Sequence, residues 1–268
     1  MPPMNQAHTE KSTGHPGAHR DAVLATLQAW LEPGRFQDVG PNGLQVEGRA
    51  QVRRLVSGVT ASRALIDAAI AFGADAILVH HGLFWRRQSG VVTGWLKQRL
   101  QRLLAHDVNL FAYHLPLDAH PTLGNNAQLG QRLGFTPEGD AWQRFGEQQL
   151  GFLGRSPCAS LPALCAHIEA VLGRTVTAVA GDGRPIRRVA WCSGGAQGYF
   201  EAAIAAGADA FVTGEISEPQ AHLARECGVA FLACGHHATE RYGAAAVGEA
   251  LAAEFGLEHR FIDIDNPA

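Results

Sequence analysis

Histidines and acidic residues follow several apolar segments of this chain. In the segment ILVHHGLFW two adjacent histidines follow the apolar run ILV, and a histidine with an acid four residues later ends both NLFAYHLPLD and AFLACGHHATE. Neutral imidazole and carboxylate are the standard ligands of zinc, iron and manganese in sites that keep open coordination positions. Five such ligands suit two incompletely coordinated ions, on which water has a pKa of about 7 and supplies a hydroxide nucleophile. The candidate ligands are His80, His81, Asp118, His236 and Glu240.

Each candidate also has a structural interpretation when it is considered alone. His80 and His81 would be hydrogen-bonded residues at the end of a strand. Asp118 would cap the helix that begins within PTLGNNAQLGQRL, and Glu240 would be a first-turn acid that complements a helix dipole. The glycine-rich stretch CSGGAQGY would cradle a phosphate or form only a tight turn. The metal hypothesis therefore depends on whether the candidate residues meet.

An internal repeat provides the elements that would position these residues. Residues 52–76, VRRLVSGVTASRALIDAAIAFGADA, align without gaps to residues 186–210, IRRVAWCSGGAQGYFEAAIAAGADA, and 10 of the 25 positions are identical. Each copy contains an apolar run, a segment of helical periodicity that ends at a glycine, and a second apolar run. Strand, helix and strand in this order form parallel strands, so we expect an α/β fold with two related halves.

The repeat places the candidates at the carboxyl ends of its strands, where ligands of parallel sheets gather. His80 and His81 lie there in the first copy, and Glu215 is the counterpart of His81 in the second. Further on, each half has an apolar strand, a histidine and an acid four residues later. These matching pairs are His114 with Asp118, and His236 with Glu240. The repeated spacing favours one constellation over unrelated structural roles.

Composition argues against several classes of protein. The chain has 268 residues, of which 46% are hydrophobic and 18% are charged, as in ordinary globular proteins. The net charge is -3 and the short basic clusters are Arg53–Arg54 and Arg86–Arg87, so we do not expect nucleic acid as a partner. No apolar run reaches the roughly 18 residues that span a membrane. The 5 cysteines show no CxxC pattern, which predicts a reducing cytoplasm rather than disulfides.

The sequence also suggests a division into segments. Residues 1–18 lack the apolar core of a signal peptide and are predicted to form a disordered tail. Residues 19–135 would form a first α/β lobe and residues 136–268 a second. We expect the C-terminal part of the second lobe to pack on the first.

Five motifs together resemble the NIF-three-like family, also called dinuclear metal centre hexameric proteins or GTP cyclohydrolase 1 type 2 homologues. They are FQDVGPNGLQVEG, LVHHGLFW, YHLPLDAHPTLGNNAQLG, VTGEISE and GHHATERYG. The resemblance covers nearly the whole chain after the tail and is to the compact bacterial form. It implies two pseudo-repeated α/β lobes, with mixed or parallel sheets flanked by helices and the metal site in the cleft between lobes. It also implies a toroidal homohexamer, a trimer of dimers.

The resemblance also implies roles for individual residues. It selects the same five ligands that the repeat selects, and it implies that His237, next to His236, is not a ligand. By its position near the site, His114 is implied as an acid/base group or substrate contact. Glu215 is implied as a group that orients water or a metal ligand.

The function implied by the resemblance is that of a dinuclear metal-dependent hydrolase. It would use metal-bound hydroxide on a nucleotide or another phosphorylated small molecule, with two ions of iron, zinc or manganese. The family label suggests ring-opening of GTP with loss of formate, for which His114 would shuttle protons. The alternative is a non-catalytic metal-binding ring, a metallochaperone or scaffold. The expected partners are further copies of the chain and a small-molecule substrate, without nucleic acid or membrane.

Overall fold

The computed structural model describes residues 16–268 of the chain. Its α-helices are α1 (Arg20–Leu31), α2 (Arg63–Phe72), α3 (Gly94–Ala105), α4 (Leu115–Ala119), α5 (Asn125–Arg132), α6 (Leu161–Leu172), α7 (Phe200–Ala205), α8 (Glu218–Cys227), α9 (His236–Glu240) and α10 (Gly243–Phe255). Its strands are β1 (Ala18–His19), β2 (Gly43–Val46), β3 (Gln51–Val52), β4 (Arg54–Thr60), β5 (Ala76–His81), β6 (Asn109–Ala112), β7 (Gln143–Phe145), β8 (Gly151–Arg155), β9 (Thr177–Val179), β10 (Arg188–Trp191), β11 (Ala210–Thr213), β12 (Ala230–Ala233) and β13 (Glu258–Phe261). Short 3-10 helices cover Pro33–Arg35, Glu147–Gln149 and Gln197–Tyr199.

Most of the strands belong to two mixed sheets. The first sheet has the strand order β13-β4-β5-β6-β2, and the second has the order β7-β8-β10-β11-β12-β9. In the first sheet β13, β4, β5 and β6 are parallel and β2 is antiparallel to β6. In the second sheet β10, β11 and β12 are parallel, and antiparallel β8 and β9 flank them. The prediction of an α/β fold with mixed or parallel sheets is confirmed.

The two copies of the sequence repeat form the same unit, β4-α2-β5 and β10-α7-β11. An aspartate of the shared Gly-Ala-Asp-Ala run explains part of this identity. The Oδ2 atom of Asp75 accepts hydrogen bonds from the backbone of Arg53 and Arg54 at 2.8 and 2.9 Å, where β4 begins. Asp209 makes the same pair of bonds at the start of β10, at 2.9 Å each. Each aspartate thus ties the start of its second strand to the start of the first.

The helices of the repeat end at a glycine, as the sequence predicts. The Ser62 hydroxyl caps α2 by accepting the N–H of Leu65 at 3.1 Å. Gly73 ends this helix with φ of 79°, in the left-handed region that glycine favours. In the second copy the helix starts as a 3-10 turn and continues as α7, and Gly207 follows it with φ of 79°.

Helices cover both faces of each sheet. The first sheet packs against α2 and α3 on one face and against α1 and α10 on the other. Neighbouring residues of β4 alternate accordingly, because Val56 belongs to the first core and Leu55 to the second. The second sheet lies between α5 and α6 on one side and α7 and α8 on the other. Each fully buried side chain of this size contributes about 1.5–3 kcal/mol to folding.

Three sequence predictions concern the N-terminal tail, the lobe boundaries and membrane-spanning segments. The predicted tail, residues 1–18, lies outside the described residues up to residue 15, and Ala18 pairs with Val52 between β1 and β3. The boundaries at 19–135 and 136–268 stay predictions, and β13 joins the first sheet beside β4. Between residues 16 and 268, every helix is too short or too polar to cross a membrane.

Candidate metal centre

The candidate ligands lie at the carboxyl ends of strands from both sheets. His80 and His81 are the last two residues of β5, and Asp118 lies in α4, the short helix after β6. His236 and Glu240 are the first and last residues of α9, which follows β12. The structure brings all five together in two groups whose ligand atoms lie within 4.8 Å of one another. The groups are His80 with Asp118 and Glu240, and His81 with His236 and Glu240.

Glu240 is the residue that the two groups share. Its Oε1 atom lies 3.4 Å from Nε2 of His80, and its Oε2 atom lies 3.2 Å from Nε2 of both His81 and His236. On the far side of His80, Oδ1 of Asp118 lies 3.6 Å from the same Nε2 atom. The two carboxylate oxygens of Glu240 therefore face two different sets of ligands.

His80 and His81 are each held at Nδ1, the ring nitrogen that faces away from Glu240. Nδ1 of His80 lies 3.1 Å from the carbonyl oxygen of Tyr113, which can only accept, so this nitrogen carries the proton. Nδ1 of His81 lies 3.0 Å from the hydroxyl of Thr60. Both rings consequently direct Nε2 towards the acids. Metal-ligating histidines are usually oriented by such a partner on the second nitrogen.

His236 is held in the same way by an acid. Its Nδ1 atom lies 2.6 Å from Oε1 of Glu215, the residue that the sequence predicts to orient a ligand or water. Glu215 is 43% exposed in its side chain, and its other oxygen accepts from the Gln197 amide at 3.3 Å. The carboxylate therefore touches the back of a candidate ligand rather than the centre of the cluster.

The two acids occupy positions that their structural interpretations do not explain. Oδ1 of Asp118 accepts from the Asn125 amide at 2.9 Å and from the Ser193 hydroxyl at 3.2 Å. It does not cap α5, because the cap residue of that helix is Gly124. Glu240 is the last residue of α9, so it is not in the first turn of that helix. Both carboxylates are instead directed at histidines.

Two atoms at the centre of the cluster are buried without a hydrogen-bond partner. They are Nε2 of His80 and Oε2 of Glu240. Neighbouring ligand atoms are near them, but the angles do not suit hydrogen bonds. An unsatisfied buried polar atom costs about 1–3 kcal/mol, and an ion between such atoms removes this cost. Imidazole nitrogens and carboxylate oxygens in this arrangement fit divalent transition-metal ions.

The cluster also alters the pKa values of its members. Burial disfavours the charge of His80, but Asp118 and Glu240 outweigh it and raise its pKa to about 9. The adjacent carboxylate of Glu240 raises the pKa of His236 to about 9, against the effect of burial. Burial and the nearby His80 lower the pKa of His81 to about 3. Burial raises the pKa of Asp118, whereas His80 and His81 overcome burial and hold that of Glu240 well below its usual range.

Three glycines join the loops that follow the central strands of the second sheet. The N–H of Gly214 donates to the carbonyl of Gly194 at 2.8 Å, and the N–H of Gly235 donates to that of Gly214 at 2.9 Å. Gly194 has φ of +69°, and a Cβ atom at this position would contact the carboxylate of Glu240. The stretch CSGGAQGY therefore forms a turn that leaves room for the shared acid.

His114, the predicted acid/base group, lies beside His80 and His81 with a ring nitrogen within 4.8 Å of theirs. Its Nδ1 atom is 2.7 Å from Oδ1 of Asp38, which the sequence did not single out. Burial raises the pKa of Asp38, but His114 and Asn42 outweigh it and bring the pKa to about 2. The motif FQDVGPNGLQVEG, which contains both Asp38 and Asn42, was the signal that pointed to this segment.

A cavity of about 610 Å³ opens over the cluster. Its volume is in the usual range for small-molecule sites. The candidate ligands His81, Asp118, His236 and Glu240 line it together with His114, Trp85 and Tyr199. None of the described residues that line the cavity is a lysine or an arginine.

Six further histidines of residues 16–268 contact partners outside the cluster. Nε2 of His237 lies 2.8 Å from Oδ1 of Asp263, so this ring is engaged elsewhere. The histidines to which the sequence assigns no role also make hydrogen bonds away from the centre. These are His106, His120, His167, His222 and His259.

Comparisons with known proteins agree with the sequence motifs. A profile of the family described as Duf34/NIF3 (NGG1p interacting factor 3) matches residues 18–267. A protein of Neisseria meningitidis serogroup B named GTP cyclohydrolase 1 type 2 homolog is 56% identical over 239 residues, 89% of this chain and 94% of that protein. A Pseudomonas aeruginosa protein of the same name is 53% identical over 251 residues, 92% of this chain and 99% of its own length.

A solved structure has the same fold. The structure of protein ybgI, described as of unknown function, has a TM-score of 0.88 and 45% sequence identity, and covers 93% of this chain and 100% of its own. The profile match extends over nearly all of the described residues, and the identities are far above those of distant relatives. The chain belongs to the Duf34/NIF3 family.

Proposed function

We propose that this protein is a dinuclear metal-dependent hydrolase. The observation that carries the proposal is the buried carboxylate of Glu240, whose two oxygens face two separate sets of ligands. One ion would be held by His80, Asp118 and Glu240, and the other by His81, His236 and Glu240. Bound divalent ions polarise an oxygen of the substrate and lower the pKa of water, which favours hydrolysis near neutral pH.

The residues around the ions would orient ligands and move protons. His114 lies beside the cluster and in the wall of the cavity, so we propose that its Nε2 atom accepts or donates the proton of the reaction. Asp38 holds the opposite nitrogen of this ring. Glu215 would keep His236 directed at its ion in the same manner.

The substrate that we propose is a nucleotide or another phosphorylated small molecule. The cavity volume of about 610 Å³ and the aromatic side chains of Trp85 and Tyr199 support a substrate with a planar ring. No described lining residue is a lysine or an arginine, so a substrate phosphate would have to face the bound ions. The name of the relatives suggests GTP, whose ring-opening would release formate.

Self-association and location complete the proposal. Val91 and Val92 before α3, and Trp95 within it, are 59%, 51% and 51% exposed. Large apolar side chains exposed next to one another favour an interface, which supports the homohexamer that the family resemblance implies. All five cysteines are free thiols, which supports a cytoplasmic location. The same metal-loaded ring without turnover, a metallochaperone or scaffold, is the alternative.

Turnover by metal-loaded protein tests the proposal. The chain would be loaded with iron, manganese or zinc and assayed with GTP and a panel of phosphoesters. His81→Ala and Glu240→Ala each remove a candidate ligand, whereas His237→Ala removes a neighbouring ring that contacts Asp263 instead. We expect hydrolysis by the wild type and His237→Ala and none by the ligand variants. Equal rates in all four proteins, or no turnover of any substrate, would exclude the hydrolase function and leave the metal-binding assembly.

A further inference from the structure

A turn of the second half holds the loop that carries Asp38. The side-chain amide of Gln148 accepts the N–H of Gln37 at 2.7 Å and donates to the carbonyl of Gln37 at 3.2 Å. Gln37 lies in the segment 36–42, the Asp38 loop, between a 3-10 helix and β2. The two bonds imitate the pairing that a neighbouring strand would make. One side chain thus fixes the backbone next to Asp38.

The turn that carries Gln148 is itself anchored and strained. Nε of Arg144 donates to the carbonyl of Gln149 at 2.9 Å, and the hydroxyl of Tyr199 donates to the carbonyl of Glu147 at 3.1 Å. Gln148 and Gln149 have left-handed backbones, with φ of 50° and 58°. This conformation is unfavourable for a residue with a side chain. Such strain persists where surrounding contacts enforce it, and it is concentrated at functional sites.

Asp38 also accepts hydrogen bonds at the start of α4. Its Oδ2 atom accepts the N–H of Leu115 at 2.9 Å and the amide of Asn42 at 3.0 Å. Asn42 in turn accepts the backbone N–H of His114 at 2.7 Å. The ionised carboxylate of Asp38 can only accept, so the 2.7 Å contact with His114 requires a proton on Nδ1. Nε2 of His114 is then free on the side of the cluster.

From these contacts we infer that Gln148 and Asp38 are positioning residues for His114. The inference rests on the proposed function, in which His114 transfers the proton of the reaction. Gln148 fixes the Asp38 loop from the second half of the chain, and Asp38 keeps the proton of His114 on Nδ1. His114 is therefore held for proton transfer only when the turn that carries Gln148 contacts the Asp38 loop.

Gln148 and Gln149, which both have a left-handed backbone conformation, provide a matched pair of variants. Glycine favours a positive φ, so Gln148→Gly and Gln149→Gly relieve the same backbone strain. Only Gln148→Gly removes the two bonds to Gln37. Asp38→Asn is the third variant, because an amide has one oxygen for the donors that two carboxylate oxygens now accept.

The tautomer of His114 is the readout that does not depend on activity. In the zinc-loaded full chain labelled with ¹⁵N-histidine, two-bond ¹H–¹⁵N spectra distinguish the Nδ1–H and Nε2–H forms, and His114→Gln identifies the signal. We expect the Nδ1–H form in the wild type and Gln149→Gly. We expect a mixture of forms in Gln148→Gly and the Nε2–H form in Asp38→Asn.

Kinetics supplies the second readout. We expect kcat to fall about 10- to 100-fold in Gln148→Gly and Asp38→Asn, the usual effect of removing a partner behind a site residue. KM and metal content should change little, and Gln149→Gly should match the wild type throughout. Persistence of Nδ1–H in Asp38→Asn, or identical spectra and rates for the two glycine variants, would overturn the inference. A wild type that hydrolyses nothing would refute the proposed function, while the tautomer would still decide the positioning role.

Discussion

At the centre, each of the three candidate histidine ligands is held at its second ring nitrogen by a residue that is not itself a candidate ligand. A carbonyl holds His80, a hydroxyl holds His81 and a carboxylate holds His236. The sequence could predict that these candidate ligands lie together, because their types and spacing are specific. It could not predict most of these supporting partners, because hydroxyls and carbonyls occur everywhere and only the fold selects one of them.

The glycine at position 194 leads to a prediction about the position of the Glu240 carboxylate. A methyl group at this glycine would contact Glu240 and would also occupy a positive φ, so we expect Gly194→Ala to displace the carboxylate. The expected result is a loss of metal affinity of about tenfold or more in calorimetric titration. Gly198→Ala is the control, since a Cβ there has no atom within 4 Å. Equal metal affinities of the two variants would show that Glu240 does not need the space beside Gly194.

The raised pKa values of His80 and His236 predict how metal binding depends on pH. Both are about 9 in the metal-free protein, so both imidazoles hold an extra proton at neutral pH. A metal requires neutral imidazole and must displace these protons, so its apparent affinity should increase as the pH rises towards 9. Zinc titrations at pH 7 in buffers of different protonation enthalpy should report release of about two protons per chain. Binding heats that do not depend on the buffer would contradict these pKa values.

At the scale of the element, the repeat was the most informative part of the sequence. It predicted the parallel strands, the glycines that follow the helices, and the placement of both histidine-acid pairs. The five-residue helices α4 and α9 could not be predicted, because one turn is too short to show helical periodicity. The antiparallel strands β2 and β9 were also missed, since short edge strands have little pattern of their own. Asp38 was missed because it lies in a loop and meets His114 only in the fold.

The repeated aspartates lead to a prediction about stability. Asp75→Ala and Asp209→Ala would each leave two backbone N–H groups at the start of a strand without their acceptor. We expect a loss of about 1–3 kcal/mol in the free energy of unfolding for each, measured by urea denaturation. Asp75→Ala should cost more, because Asp75 also accepts from Arg49 at 2.9 Å. The exposed Asp140→Ala is the control, and a loss of the same size there would contradict this explanation.

At the scale of the whole molecule, the centre joins residues that are far apart in the chain. Ligands from the first sheet contact Glu240, which follows the second, and Gln148 reaches the Asp38 loop from the same side. A bound metal would thus add bonds between segments that otherwise meet through side-chain packing and hydrogen bonds. The sequence could indicate this arrangement only through the repeat and the family motifs, because contacts between distant segments leave no local pattern.

This connection predicts a thermal effect of metal removal. An ion that binds only the folded chain stabilises it by about 2.7 kcal/mol when its concentration is a hundred times Kd. For a chain of this size we expect the Tm to fall by roughly 5–10 °C when a chelator removes the metal. Glu240→Gln should show little response to the chelator. If the chelator leaves the wild-type Tm unchanged, bound metal does not stabilise the contact between the two sheets.

The number of metal ions bound per chain is the direct test of the dinuclear centre. Elemental analysis of purified, metal-loaded protein should find about two divalent ions per chain in the wild type. His237→Gln should keep this content, because His237 contacts Asp263 and not the cluster. Glu240→Gln should retain fewer than one ion, since both groups of ligands share this carboxylate. A wild type that holds no more than one ion, or a Glu240→Gln variant with the wild-type content, would contradict the dinuclear centre.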